Sequence, residues 1–344
     1  MAHQMSLPMS KPIAVLCSDV HYSLPTLEVA DKAMRLAIAK ANELKVPLIV
    51  AGDIHETKAN MRAECVNAMI STFMACNLTP IVLVGNHDKI NEKSADHSLN
   101  FLSKYAFVLS IPFKSVLLKN TYFIPYYHNS DELRAYLKLL PKGATLIMHQ
   151  GLTGTASGEY IQDKSAINPK DVAGFRVISG HYHTRQTIAL PDGGTWDYVG
   201  NPYTVNFGEA NDPPKGFQIL FDDGSLEFVP INLRKHIVLN ADVSGGVFLA
   251  EGLFSIKKED LVWVKVKGTA EQLMGWTKAL IQKGINHDNF RLDLIPTDTT
   301  TQVEAPQDLP QDALLDGLID SLTNTTDERK LRLKDLWKTL VAKE

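Results

Sequence analysis

Short apolar runs alternate with amphipathic segments over residues 13–84 of the chain. The runs at 13–17, 48–51 and 81–84 have the length and the β-branched content of buried strands. Apolar side chains recur at helical spacing over residues 27–44 and again over 61–76. Strands and helices that alternate in this way form parallel sheets through right-handed crossovers. The pattern therefore predicts an α/β fold with a sheet whose strand ends all face one way.

Polar side chains follow each of these three runs. Asp19 and His21 come after the first run, Asp53 after the second, and Asn86 with His87 after the third. Open α/β sheets bind ligands outside the carboxyl ends of their strands. We therefore expect the two aspartates, His21 and Asn86 to share one rim of the sheet.

A second sheet is expected to begin after residue 105, where the pattern changes to short strands and turns. Two of its predicted strands end in imidazoles: His149 follows the run at 145–148, while His181 and His183 follow the run at 177–179. Further strands are predicted at 116–119, 122–125, 187–189, 196–199, 217–221 and 225–229, with a helix near 131–140.

Together, the predicted strand ends carry two aspartates, four histidines and an asparagine. This mixture of oxygen and nitrogen donors suits Mn²⁺, Fe or Zn²⁺, and it lacks the thiolates of a structural zinc site. One metal cannot use seven donors, whereas two metals that share a carboxylate can. A single histidine is usually a surface or hydrogen-bonded residue, and a single aspartate can cap a helix. Ordinary roles of that kind are expected for the remaining histidines, namely His3, His97, His128, His236 and His287.

The order of these motifs resembles the signature of the calcineurin-like metallophosphoesterases. The matching segments are Asp19-x-His21, Gly52-Asp53, Gly85-Asn86-His87-Asp88, His149 and Gly180-His181-x-His183. Within that superfamily, residues 198–209 and Lys215-Gly216-Phe217 resemble the SbcD nucleases, particularly the compact bacteriophage recombination-endonuclease subunits. The resemblance implies a two-sheet α/β/β/α metallophosphoesterase sandwich with a small α+β capping domain and a C-terminal helical hairpin.

The resemblance also implies a role for each strand-end residue. The first metal would be held by Asp19, His21 and His183, and the second metal by Asn86, His149 and His181. Asp53 would bridge the two metals, and His87 would be the catalytic imidazole that contacts the scissile phosphate. The implied cofactors are two divalent metal ions, Mn²⁺ in the first instance, with Mg²⁺ as the alternative.

The chain departs from many of these nucleases three residues after the proposed bridge. Where they carry a histidine, this chain has Glu56, and His55 lies one place earlier. A carboxylate beside an imidazole orients it and stabilises its charge, so we predict that Glu56 acts catalytically through His87. His55 either lines the site or is an ordinary loop residue.

The composition changes near Leu233, which predicts four segments. Residues 11–232 would form the nuclease domain, 233–296 a DNA-binding capping domain of α+β type, and 297–310 a linker rich in Thr, Pro, Gln and Asp. Residues 311–344 read as two amphipathic helices with apolar stripes that suit a partner groove. The resemblance implies that these helices dock on an SbcC-type coiled-coil ATPase, and that the nuclease domain forms a homodimer.

Three functional classes are compatible with these observations. The first is a DNA nuclease subunit, a 3′-to-5′ exonuclease with endonuclease capacity, that acts on duplex DNA in recombination, repair or host DNA degradation. The second is a stand-alone phosphodiesterase or phosphatase, which the metal motifs do not exclude. The third, a binding scaffold with a remnant metal site, is disfavoured because no ligand is missing.

Charge and cysteine content constrain the setting of the protein. A net charge of −4 gives no bulk attraction to polyanions, so nucleic-acid binding must come from a local patch or from metal ions. The three cysteines lie in apolar contexts, as reduced buried thiols do, which predicts a cytoplasmic protein, in the host cytoplasm if the source is a phage. No apolar run is long enough for a transmembrane helix and no signal peptide is evident, so we expect no membrane association.

Overall fold

A computed structural model describes residues 10–58, 60–91, 93, 95–155, 165–244, 256–282, 289–297 and 331. Apart from Leu331, the predicted C-terminal hairpin lies outside the described residues, as does all of the predicted linker except Thr297. The α-helices are α1 (Leu27–Leu44), α2 (Ala63–Phe73), α3 (Ser130–Leu137) and α4 (Ala270–Gln282). Short 3₁₀ helices span Ser98–Lys104, Pro169–Val172 and Phe207–Glu209.

The described strands are, in chain order, β1 (Pro12–Cys17), β2 (Leu48–Val50), β3 (Ile81–Leu83), β4 (Phe107–Leu109), β5 (Phe113–Lys114), β6 (Thr121–Ile124), β7 (Thr145–His149), β8 (Arg176–Gly180), β9 (Gln186–Ala189), β10 (Thr195–Tyr198), β11 (Gly216–Phe221), β12 (Leu226–Pro230), β13 (His236–Asp242), β14 (Leu261–Gly268) and β15 (Phe290–Pro296).

These strands form two six-stranded sheets and one three-stranded sheet. The first sheet has the order β12-β11-β1-β2-β3-β4, and the four strands from β1 to β4 are parallel. The second sheet has the order β5-β6-β7-β8-β10-β9, in which β6, β7, β8 and β10 are parallel. The third sheet has the order β13-β14-β15. The predicted βαβαβ unit and the second sheet are therefore both confirmed.

Alternate side chains of β1 show how the layers are stacked. Ala14 and Leu16 are fully buried in a core shared with Ile147 and Ile178 of the second sheet. Val15 and Cys17 point the other way, into a core that contains the apolar face of α1. Because successive strand residues face opposite sides, a buried strand with apolar residues at every position lies between two layers.

The second sheet has a separate core on its outer face, where Leu133 and Leu137 of α3 are buried. The layer order is therefore helix, sheet, sheet, helix, which is the predicted α/β/β/α metallophosphoesterase sandwich. Within the described part of the chain, no helix is both long and apolar enough to cross a membrane.

One predicted strand is wrong. Residues 116–119 form a turn, because the Ser115 hydroxyl accepts hydrogen bonds from the amides of Leu117 and Leu118 at 3.2 and 2.8 Å. A serine that pairs with the backbone in this way competes with a sheet ladder for the same donors. Strands β4, β5 and β13 were not predicted; β4 and β5 have only three and two residues, too few to show a period.

The described residues divide into two compact units. The larger unit contains both six-stranded sheets and extends to Ala241, and it includes the described residues within Leu249–Lys265 and Leu280–Asp293. The smaller unit contains the described residues within Asp242–Phe248, Val266–Ala279 and Leu294–Glu344. All of the candidate site residues lie in the larger unit.

Candidate metal centre

The predicted donors meet where β1, β2, β3, β7 and β8 end. Carboxyl ends of parallel strands from both large sheets face the same place, so residues far apart in sequence become neighbours. Three clusters in the described residues have donor atoms within 4.8 Å of one another. The first cluster is Asp19, His21 and His183, and the second cluster is Asp53, His149 and His181. A third group, His21, Glu56 and His87, adjoins the first cluster.

Four site residues have left-handed backbone conformations. The φ angles of Asp19 and His21 are both 52°, that of Asp53 is 50°, and that of His181 is 91°. Such angles are costly for residues with a side chain, and they persist only where the surroundings impose them. Here the Asp19 amide donates to the Gly52 carbonyl at 3.1 Å, and the His21 amide donates to the Asp53 carbonyl at 3.1 Å. The strained backbone turns the side chains into one cluster at the strand ends.

Three glycines leave room for these side chains. A Cβ atom on Gly52 would lie 2.2 Å from His149 Nδ1, one on Gly85 would lie 2.1 Å from Asp53 Oδ1, and one on Gly180 would lie 2.0 Å from Ser18 Oγ. Real contacts of Cβ atoms are much longer. The glycines of the Gly-Asp, Gly-Asn-His-Asp and Gly-His-x-His motifs therefore serve close packing around the donors.

In the first cluster, two imidazole nitrogens face each other. His21 Nε2 and His183 Nε2 are 3.0 Å apart. The Nδ1 atom of His183 lies 2.7 Å from Glu209 Oε1, and that of His21 lies 2.5 Å from Glu56 Oε2. The His21 contact is poorly aligned for a hydrogen bond, but at this distance Nδ1 must carry the proton, because two unprotonated acceptors would repel. Two Nε2 lone pairs 3.0 Å apart would repel each other unless a proton or a cation lies between them, so the arrangement suits a cation.

In the second cluster, several acceptors converge on one point. His149 Nδ1 donates to the Ala51 carbonyl at 2.6 Å, which directs Nε2 into the site. That Nε2 atom lies 3.0 Å from Asn86 Oδ1 and 3.2 Å from Asp53 Oδ2. His181 Nδ1 is 2.8 Å from the same Asn86 oxygen. A carboxylate, an amide oxygen and two imidazoles form a donor set that suits a divalent cation.

The pKa shifts of His149 and Asp53 indicate that the second cluster favours positive charge. Burial works against the charged forms of both residues, but the attraction between them is stronger. The Asp53 carboxylate raises the pKa of His149 to about 9, and His149 in turn holds the pKa of Asp53 well below its usual range. A metal ion would compete with this proton for the same position.

Glu209 is a site residue to which sequence patterns assigned no role. Its carboxylate accepts from Asn201 Nδ2 at 2.8 Å and from the Val205 amide at 3.0 Å, and the Lys215 Nζ atom lies 3.4 Å away. Burial opposes its charge, yet the contact with His183 and the other donors lower the pKa of Glu209 to about 2. The available signal was that Glu209 and Lys215 both lie in segments that resemble the SbcD nucleases.

The Glu56 carboxylate lies closer to His21 than to His87, the residue through which it is predicted to act. Glu56 Oε1 is 4.0 Å from His87 Nδ1, whereas Glu56 Oε2 is 2.5 Å from His21 Nδ1. His87 Nδ1 instead donates to the Glu56 carbonyl at 2.8 Å. The Glu56 amide donates to the Tyr22 carbonyl at 3.2 Å, so the segment runs beside the strand end that carries His21. The carboxylate thus contacts both imidazoles, His21 more closely, and the backbone carbonyl of Glu56 accepts from His87.

Asp88 and His55 shape the loop around the centre. The Asp88 carboxylate accepts from the amides of Gly85 at 2.8 Å and His55 at 3.0 Å. Burial, together with the nearby Asp53 charge, raises the pKa of Asp88 to about 7. His55 is 1% exposed and packs as a buried loop residue.

The other described histidines, His97, His128 and His236, belong to none of the donor clusters. His97 accepts from the Leu99 amide, and buried His236 pairs with Thr204. His128 lines a cavity, and His3 and His287 lie outside the described residues.

Two stacked sheets with Asp, His and Asn side chains at their common edge fit the predicted metallophosphoesterase sandwich. In sequence, the chain is similar to exonuclease subunit 1 of Enterobacteria phage T4, with 25% identity over 198 residues, which is 54% of this chain and 55% of the relative. The chain therefore spans about half the length of this curated relative. No family model matches the chain.

A dimetal phosphatase from Danio rerio is a structural neighbour at 14% identity and a TM-score of 0.42. That likeness covers 61% of this chain and 93% of the phosphatase. The assignment of fold class depends on the two sheets and the donor clusters of the chain itself, not on this distant likeness.

Proposed function

We propose that the chain is a metal-dependent DNA nuclease that hydrolyses phosphodiester bonds by a two-metal mechanism. The observation that carries the proposal is the pair of Nε2 atoms of His21 and His183, which face each other at 3.0 Å. Their Nδ1 atoms contact Glu56 and Glu209, so both nitrogens offer lone pairs to one point. The donor set at this point fits a divalent metal and supports the two-metal proposal.

The proposed ligands follow the two clusters. Asp19, His21 and His183 would hold the first ion, and Asn86, His149 and His181 the second, with Asp53 between them. When bound, two divalent ions, Mn²⁺ or Mg²⁺, supply an activated water and offset charge on the phosphoryl oxygens. The carboxylates of Glu56 and Glu209 and the Ala51 carbonyl select which nitrogen of each imidazole faces the metal.

In this proposal His87 acts on the substrate, although its donor atom also lies within 4.8 Å of those of His21 and Glu56. Its amide donates to Asp53 Oδ1 at 2.8 Å, which ties the residue to the proposed bridge. Its Nδ1 atom donates to the Glu56 carbonyl, so Nε2 remains to contact the phosphate and to hold a proton for the leaving oxygen. The side chain is 32% exposed, which leaves room for substrate to approach.

The substrate and the partners of the proposed nuclease come from the resemblance. The similar phage protein is named as an exonuclease and as one subunit of an enzyme. On that basis duplex DNA is the proposed substrate, with a second copy of the chain and an SbcC-type coiled-coil ATPase as proposed partners. The helices predicted within residues 311–344 would bind the ATPase. Deletion of residues 305–344 should then abolish co-purification with the ATPase, and unchanged complex formation would move the partner surface elsewhere.

The proposed function can be tested with the purified full-length chain after chelation and dialysis. Mn²⁺ or Mg²⁺ is titrated back in the presence of linear duplex DNA with a labelled 3′ end, and cyclic nucleotides and phosphopeptides are assayed in parallel. We expect metal-dependent release of nucleotides from the DNA. Turnover of the small substrates without any cleavage of DNA would instead identify a stand-alone phosphodiesterase or phosphatase.

A further inference from the structure

A cavity of about 640 Å³ opens beside the second donor cluster. Its lining contains none of the proposed metal ligands or catalytic residues. Its lining includes Lys89, Lys93, Tyr126, Tyr127 and His128. This volume is within the range of small-ligand sites, roughly 300–1,000 Å³, and is large enough for one nucleotide. All of the lining residues belong to the larger structural unit.

The cavity and the metal centre share a wall. The ring centroid of Tyr126 lies 5.8 Å from that of His181 and 6.3 Å from that of His149. The Tyr126 amide donates to the Val84 carbonyl at 2.9 Å, immediately before the Gly-Asn-His-Asp segment. The Lys89 Nζ atom lies 5.5 Å above the centre of the Tyr126 ring. A DNA strand whose phosphate reaches the proposed metals would therefore place a neighbouring nucleotide in this cavity.

The charges around the cavity favour an anion. Lys89 and Lys93 contribute two positive charges, and Glu132 is the one carboxylate among the described lining residues. The Glu132 carboxylate already accepts a hydrogen bond from Asn129 Nδ2 at 3.0 Å. The two lysines at the cavity contrast with the net charge of −4 of the whole chain, which gives no overall attraction to polyanions. A local basic patch is what nucleic-acid binding by such a chain requires.

The aromatic side chains of the cavity provide rings on which a base could stack. Tyr127 and His128 are partly exposed in the cavity beside the lysines. Aromatic rings next to cationic groups are typical of sites that bind single-stranded nucleic acid, because unpaired bases stack on the rings and phosphates pair with the cations. A base inside a duplex is already stacked on its neighbours and is not free to enter a pocket.

We propose that this cavity binds one unpaired nucleotide next to the scissile phosphodiester, with its base on Tyr127 and a phosphate at Lys89. The inference rests on the proposed nuclease function and narrows its substrate to strands with an unpaired or frayed end.

The experiment measures binding separately from catalysis. Fluorescence anisotropy of the full-length chain is recorded in chelator with a short labelled single-stranded oligonucleotide and with a blunt duplex of the same sequence. We expect the single strand to bind more tightly than the duplex. Lys89→Ala and Tyr127→Leu should each weaken single-strand binding by about tenfold, whereas Tyr127→Phe, which keeps the ring, should bind like the wild type.

Matched controls separate the cavity from general effects on charge and folding. Lys104 is exposed and lies outside the cavity lining, so Lys104→Ala removes a charge elsewhere. Tyr136 packs against the same outer core as Tyr127, so Tyr136→Leu tests the loss of a ring from that core. Equal weakening by the control variants would overturn the proposal, as would unchanged binding by Lys89→Ala and Tyr127→Leu. Displacement of the oligonucleotide by a phosphoserine peptide at equal concentration would also overturn it.

The same preparations distinguish failure of the cavity proposal from failure of the proposed function. Wild-type chain with Mn²⁺ is assayed on bis(p-nitrophenyl) phosphate, a small diester that has no base to stack. If the wild type hydrolyses this diester but the cavity variants bind oligonucleotide normally, only the cavity proposal fails. If the wild type hydrolyses no diester with any metal, the nuclease proposal fails, and the cavity is judged by the binding data alone.

Discussion

Glu209 accepts the Nδ1 proton of His183 at 2.7 Å, although Glu209 ends a 3₁₀ helix and His183 lies in the loop after β8. This contact decides which nitrogen of the imidazole faces His21 across the metal centre. Carboxylates that hold a metal-binding histidine in this way raise its basicity and fix its ring orientation.

Replacement of Glu209 by Gln should weaken metal binding while leaving the fold intact. The amide keeps the size of the side chain but removes the charge that stabilises the His183 tautomer. We expect a loss of metal affinity of about 10- to 100-fold, measured by calorimetric titration of Mn²⁺ into the chelated chain. Glu227→Gln, an exposed change on β12, is the matched control. Wild-type affinity in Glu209→Gln would show that the contact does not support a ligand.

Glu56→Gln should act on the first metal position, because the Glu56 carboxylate lies closer to His21 than to His87. We expect weaker binding of one metal equivalent and a shift of the pH profile of any activity. Metal analysis after dialysis against a low concentration of Mn²⁺ measures the first effect. If both equivalents remain and only the turnover rate falls, Glu56 acts through His87 after all.

Asp53→Asn should disrupt both metal positions, whereas His183→Ala should chiefly weaken one. Asp53 lies 3.2 Å from His149 Nε2 and accepts from the His87 amide, so it is central to the cluster. The asparagine has one oxygen donor fewer and no charge to hold a cation. Bound metal is counted by elemental analysis of the dialysed proteins. Retention of two equivalents by Asp53→Asn would contradict the bridging role.

His87→Asn should lose DNA cleavage while keeping metal and DNA binding. The side chain is proposed to act only on the reacting phosphate, so its removal affects the transition state more than the ground state. Proton transfer by a positioned side chain accounts for about 10²- to 10⁴-fold in rate, and a loss of that order is expected in single-turnover assays. Loss of bound metal from this variant would make His87 a ligand instead.

Gly180→Ala should destabilise the fold and disturb the metal centre together. The new methyl group would lie 2.0 Å from Ser18 Oγ and 2.3 Å from the Ala51 carbonyl, which also holds His149. Overpacking of this kind costs about 1–3 kcal/mol of unfolding free energy. Gly275→Ala in α4 meets nothing within 4 Å and is the control. Thermal unfolding that leaves Tm equal in the two variants would argue against this close packing.

Much of the fold could be predicted because its signals are local. The helix predicted over residues 27–44 is α1, with the same bounds, since apolar side chains at helical spacing define a face whatever it packs against. The runs that precede Asp53, Asn86 and His149 are strands, because short continuous apolar runs favour buried strands. The placement of the donors at strand ends follows, because parallel strands bring their carboxyl ends to one edge.

The contacts that support the donors depend on the tertiary structure. Glu209 and His183 are 26 residues apart and meet only because the fold brings them together, and no periodicity records that approach. Glu56 lies closer to His21 than to His87, because its amide bonds to the Tyr22 carbonyl directly after His21. The nucleotide-sized cavity likewise combines three separate stretches of chain, around Lys89, Pro112 and Tyr127.

Sequence by itself thus determined the two sheets, the helices of the first βαβαβ unit, and the set of side chains at the strand ends. Tertiary structure alone decided the partners of those side chains, the left-handed backbone at Asp19 and His21, and the cavity beside them. The physical reason is the distance along the sequence over which each kind of interaction acts. Strand and helix periodicities arise from neighbouring residues, whereas the orientation of an imidazole depends on which distant donor or acceptor the folded chain brings within about 3 Å.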